Sequence, residues 1–247
     1  MSSHLIPNTM GDLSITANRF VEGLKAHEKG IGVTQNTSTK IMKELAAAIA
    51  RDKEYEVIRS ERAKTFQPAV TKADADGRQF IGRAKKSLAV HLGEQWNETW
   101  IEAGFSGGTT RISSTIPGRE TVLKELGAYF TAHPSHEVEE FGVTADRAEA
   151  LYVALSGARV ALETQATRQK DAKTALIKAI SVLRKRLRAA IAELDMLLEP
   201  DSLIWGAVGL IPPAQKNRRR SKKTDAAPAR SSTPAAAEGS ASVALAV

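Results

Sequence analysis

The stretch TALIKAISVLRKRLRAAIAELDMLL, residues 174–198, decides how this chain folds. Leu176, Ile180, Leu183, Leu187, Ile191, Leu194 and Leu198 recur at steps of three or four, so on a helix they line one face. Such a stripe is a packing surface that builds a bundle and carries no chemistry of its own. The pattern extends backwards to Thr144 without a proline and with one glycine, Gly157. That predicts one long helix or a tight pair. The weakest point is Thr164 to Asp171, where Gln165 and Gln169 replace leucine in the seam and a bend would give a compact bundle.

Working outward, Thr9 followed by Asp12 has capping-box spacing and starts a helix whose buried face is Leu13, Ala17, Phe20 and Leu24, with Gly30 and Gly32 at its end. Thr34 is the expected N-cap of a second helix, carrying Ile41, Leu45, Ala48 and Ile49 on one side and lasting to about Phe66. Pro68 either breaks it or occupies the first turn of a third helix, about Ala69 to His91, with Phe80, Ile81, Ala84, Leu88 and Leu92 on its buried side. Trp96 and Trp100, four apart, are expected to stack on a short continuation and to seal a bundle end, as is Trp205. Leu123, Leu126 and Phe130 define another short helix, stopped by Pro134.

The chain then repeats itself. Gly142-Val143-Thr144 echoes Gly32-Val33-Thr34, and Phe20 and Leu45 have counterparts in Phe130 and Leu155 at the same offset. Trp100, Gly104 and Phe105 likewise match Trp205, Gly209 and Leu210. The expected organisation is therefore all-α, an elongated helical bundle with coiled-coil-like seams and an internal repeat. Residues 9–105 form one helical half, 106–115 a Gly/Ser/Thr-rich connector and 116–211 a second half, followed by a disordered basic Ala/Ser/Pro tail, 212–247.

Composition bounds the function. The 247 residues contain no cysteine, which excludes disulfides, thiolate metal sites and a cysteine nucleophile and fits a reducing compartment. Met1 to Asp12 lacks the pattern of a secretory leader, and no run reaches the roughly 20 apolar residues of a membrane span, so a cytoplasmic location is expected. The net charge of +7 is concentrated in residues 216–247, where seven basic groups face two acids, leaving the rest of the chain at only +2. Lys216, Arg218, Arg219, Arg220, Lys222 and Lys223 are the candidate phosphate-binding residues, with sequence-independent, salt-sensitive affinity for nucleic acid. They have no interleaved aromatics for base stacking.

Other motifs read as structural. Lys178, Arg184, Lys185, Arg186 and Arg188 flank the leucine stripe as a solvated basic face. His133, His136, Glu137, Glu139 and Glu140 are metal-ligand residue types, but none of the histidines has the glutamate three residues earlier that di-metal bundles use, so solvated polar residues are expected. Gly104 to Arg111 lacks the lysine of a phosphate loop. No catalytic, cofactor-binding or metal residue is assigned, and neither cofactor nor small-molecule substrate is indicated. The expectation is a non-catalytic scaffold or protein-interaction module, binding another protein or a second copy of itself.

From Leu183-Arg-Lys-Arg-Leu187 through Ile191, Glu193, Leu194, Pro200, Asp201 and Trp205 to Gly209-Leu210-Ile211-Pro212, the chain resembles an uncharacterised bacterial all-helical family. That family joins Gly-(Leu/Val)-Thr helix starts to a basic leucine-rich final helix ending in Trp and Gly-Leu-x-Pro. The resemblance spans roughly residues 5 to 213. At Ser202-Leu203-Ile204 the chain departs from the Asp, Pro and Arg expected there. It implies a helical body and no activity.

Overall fold

The computed structural model describes residues 6–213, and these are all-helical apart from turns and one isolated antiparallel bridge, Val138 to Val143. The helices are α1 (Met10–Ile31), α2 (Ser38–Glu61), α3 (Gln67–Leu92), α4 (Ile116–Ala132), α5 (Ala145–Leu197) and α6 (Ile204–Ala207). Short 3-10 turns lie at Glu98–Ile101, Pro134–His136 and Glu139–Phe141. The tail residues Lys216 to Lys223 lie outside the described residues.

Among the described residues, 6–40 and 187–213 form one compact unit, and Ile41–Arg186 form the other. These units do not follow the two halves expected from sequence. Each takes one Gly-Val-Thr turn and one Trp-containing turn.

In the smaller unit, Thr9 caps α1 by accepting the Asp12 amide at 3.2 Å. Leu13, Ala17, Phe20, Val21 and Leu24 of α1 are buried, as are Leu187, Ala190, Ile191 and Leu194 of α5, the last turns of the leucine stripe. Helix α6 packs on α1, with Trp205 fully buried. Gly23 permits this contact, because a Cβ there would lie 2.2 Å from the Ala207 carbonyl oxygen.

In the larger unit the core gathers Phe80, Ile81, Ala84 and Leu88 of α3, Leu123, Leu126 and Phe130 of α4, and Ala148, Leu151 and Leu155 of α5 around Trp100 and Phe105. Arg119, almost fully buried, donates to both Asp74 oxygens at 2.6 and 2.7 Å and to the Ser113 carbonyl at 2.7 Å, tying α4 to α3. Glu120 pairs with Arg159 of α5 at 3.1 Å.

Helix α5 runs unbroken for 53 residues, so Thr164 to Asp171 does not end it. Gln165 is buried there because it finds partners. Its side-chain amide donates to the Ile58 carbonyl at 3.4 Å and to Glu61 at 3.2 Å, while Gln169 accepts from Arg62 at 2.9 Å. Opposite this polar step, α2 does not stop either. It widens into a π-helical turn, Arg62–Phe66, closed by the Gln67 amide on the Arg62 carbonyl, and passes directly into α3. Pro68 falls in the first turn of α3, where its missing amide hydrogen is tolerated.

Two expectations are corrected. Thr34 is not an N-cap, since α2 begins at Ser38. Trp96 and Trp100 do not share a continued helix, because Gly93 (φ 92°) ends α3 and Asn97 caps the separate 3-10 turn that carries Trp100. Trp100 instead meets Phe105 edge to face at 5.2 Å, and the Trp96 indole donates to the Phe105 carbonyl at 3.0 Å.

Candidate interaction sites

The Gly-Val-Thr turns show what the polar side chains of the smaller unit do. After α1, Gly32 adopts the left-handed conformation (φ 83°) and the Val33 amide reaches back to the Glu28 carbonyl at 3.0 Å. The chain then leaves the amides of Thr34, Gln35 and Asn36 pointing the same way. Glu193 of α5 accepts all three, at 2.9, 3.0 and 2.8 Å, and the Asn36 side-chain amide as well, at 2.8 Å. Glu28 accepts the Ser38 amide at 2.9 Å and so completes the start of α2. Partial burial pushes the Glu193 carboxyl up, but the four donated hydrogen bonds outweigh that and hold it below the ordinary carboxylate range. Sequence reading missed this clamp. Glu193 looked like one more charge on a helix, and its partners lie more than 150 residues away.

The second turn has the same backbone and different partners. Gly142 is left-handed (φ 61°) and the Val143 amide reaches back to Val138 at 3.0 Å. Here Thr144 does cap its helix, accepting the Arg147 amide at 3.3 Å, and Glu137 accepts the Ala145 amide at 2.7 Å.

The histidines of this region are not merely solvated. His91 at the end of α3 stacks on His136 with ring centroids 4.1 Å apart, His136 is parallel to His133 at 5.4 Å, and His133 stacks on Tyr129 at 4.5 Å. The Tyr129 hydroxyl and His136 Nδ1 share a hydrogen bond of 2.8 Å. Partial desolvation, then the neighbouring His91 and His133, lower the pKa of His136 below its ordinary value. Burial and the nearby Glu102 raise that of Tyr129. Among the described residues, no group of three or more His, Cys, Asp or Glu side chains is placed to hold a metal ion. The sequence signal at His133 and His136 was visible, but their partner His91 lies on another helix.

Beside this column opens a groove of about 480 Å³. Its apolar surface comes from Val90, Val138 and Phe141, and Arg83, Lys86 and His91 of α3 edge it. Val90 is 83% exposed and Phe141 62% exposed, so the groove brings two large apolar side chains together in solvent. Arg83 and Lys86 have no carboxylate partner among the described residues.

No family model, no curated protein and no solved structure matches this chain. Among the described residues no helix is long and apolar enough to cross a membrane.

Proposed function

We propose that this chain is a non-catalytic helical interaction module of the cytoplasm. The observation that carries this reading is the apolar groove on the larger unit, where Val90 of α3 and Phe141 of the Glu139–Phe141 turn stand in solvent beside a core that buries Leu88, Leu126 and Phe130. Elsewhere the chemistry-bearing groups are already engaged in holding helices: Glu193 on a turn, Arg119 on Asp74, and Tyr129 on His136. The two halves read as a duplicated unit. Supporting this, Phe105 and Leu210 both return an amide to a tryptophan carbonyl five residues back, at 3.0 and 2.8 Å, each after a glycine of positive φ. The membership of the bacterial helical family is part of the same proposal.

The test is paired affinity capture with the native chain and with Phe141→Asp. A protein retained by the first, lost by the second and rebound after purification supports the module reading. Retention of no protein by the native chain, together with a strictly monomeric mass by light scattering at high concentration, would overturn it.

A second reading rests on the sequence Lys216-Asn-Arg-Arg-Arg-Ser-Lys-Lys223, whose six cations suit the phosphates of nucleic acid. Deleting residues 216–247 should then abolish a gel shift that already weakens steeply with salt. Binding unchanged by the deletion would dispose of this reading.

A further inference from the structure

The groove beside the histidine column has a chemistry that specifies its occupant. Its floor is made of aliphatic and phenyl surface, so water on it is displaced favourably by apolar side chains. A volume of about 480 Å³ accommodates one or two such side chains. Along the α3 edge the charges have one sign. Arg83 and Lys86 are exposed and lie one turn apart on the same helix. The 3-10 turn that supplies Phe141 carries the opposite sign in Glu139 and Glu140, both exposed.

We infer that this groove is the docking site for an acidic, amphipathic peptide segment of a partner protein. This inference deepens the interaction-module reading and rests on it. The partner inserts a leucine- or phenylalanine-type side chain between Val90 and Phe141 and lays its carboxylates along Arg83 and Lys86. The acids on the 3-10 turn set its direction, because a carboxylate placed there would meet like charge. A nucleic-acid backbone does not fit, since its phosphates would gain only the rim and would cover the apolar floor with charge. A free acyl chain gains the floor, but a groove open to solvent leaves much of that chain in water. Such a small contact binds weakly, with charge contributing strongly to selectivity.

The experiment uses the full chain with isotope-labelled backbone, titrated with short peptides that alternate glutamate with leucine or phenylalanine. Signals of Val90, Val138 and Phe141 should shift saturably. Replacing the peptide's glutamates with lysine, or making Arg83→Glu together with Lys86→Glu in the protein, should weaken binding by roughly tenfold or more. Reversing Glu139 and Glu140 to lysine should strengthen binding or leave it unchanged. Equal binding of acidic and basic peptides, shifts confined to other surfaces, or saturation by decanoate but not by peptide would each overturn the inference. Because both charge reversals lie on exposed positions, an unaltered spectrum of the free variants shows that the fold is intact. The module reading fails separately: a partner captured independently of Phe141 would sink the groove while leaving the module standing.

Discussion

The two Gly-Val-Thr turns share a backbone and differ in what they hold. In the smaller unit the turn after α1 offers three amides to a carboxylate from the far end of the chain, Glu193. In the larger unit the corresponding turn is closed locally, by the Val138–Val143 bridge, the Thr144 cap and Glu137 eight residues before its target. A left-handed glycine followed by a valine amide that reaches back five residues fixes the shape of both. Where the next orphan amides go is then decided by tertiary neighbours. One motif thus serves as a long-range tie in one place and as a self-contained helix start in the other.

That contrast can be broken most severely at the carboxylates. Glu193→Ala removes a charged acceptor from four donors and should cost the smaller unit about 3 kcal/mol, whereas Glu137→Ala, which frees one amide, should cost about 1 kcal/mol. Urea unfolding followed at amide signals of each unit measures both. Equal losses would show that the long-range tie adds nothing beyond a local cap.

Acid titration probes the same contrast reversibly. The folded pKa of Glu193 is lowered, so its contribution is complete above the unfolded carboxyl value of about 4.3 and is lost as pH falls through the folded value. His136 is also lowered, but it is a base. Its neutral, stacked form is favoured, so the larger unit loses stability earlier, as pH falls below about 6.5 toward the folded value. Imidazole signals of His136 should therefore move, and its neighbourhood loosen, before the amides of Thr34 to Asn36 lose exchange protection. The reverse order would contradict the assigned electrostatics.

Substituting the glycines tests what the turns have in common. Gly32→Ala and Gly142→Ala meet open space but force a side chain into positive φ, and each should cost about 1 to 2 kcal/mol, equally in the two units. A large inequality would mean that the shared backbone is not the shared cause. The smallest effect should separate the threonines. Thr144→Ala loses a cap worth about 1 kcal/mol, while Thr34→Ala, whose role is played by its main-chain amide, should be close to neutral by thermal unfolding.

Much of the fold was legible because local rules act within a few residues. The step of three and four in Leu176 to Leu198, the Thr9 cap, the end of α1 at Gly32 and the stop before Pro134 all follow from neighbours along the chain. What was illegible depended on distant partners. Gln165 and Gln169 looked like a break in the seam, yet the carbonyl of Ile58 and the side chains of Glu61 and Arg62 make them acceptable inside it. Thr34 looked like a cap because Glu193 is invisible from its position. The same limit hid the histidine column, since His91 and His136 are 45 residues apart and only the meeting of α3 with the turn after α4 brings their rings together. The groove edge was hidden for a related reason: Arg83 and Lys86 are ordinary surface charges until Phe141 arrives beside them.

The π turn at Arg62–Phe66 has a consequence for how this chain tolerates change. It stores one surplus residue inside an otherwise continuous rod, so Ile58, Arg62, Phe66 and Val70 follow one another at steps of four where an ordinary helix would drift off the face. Removing a single residue there would relax the turn to regular pitch and leave the downstream face in place, whereas a deletion in the regular helix before it would rotate everything beyond by about 100°. Phe80, Ile81 and Leu88 would then swing out of the core together. A one-residue deletion at this turn is thus better tolerated than one in the regular helix on either side, and the surplus residue gives the rod a place where its length can change without altering which face meets the core.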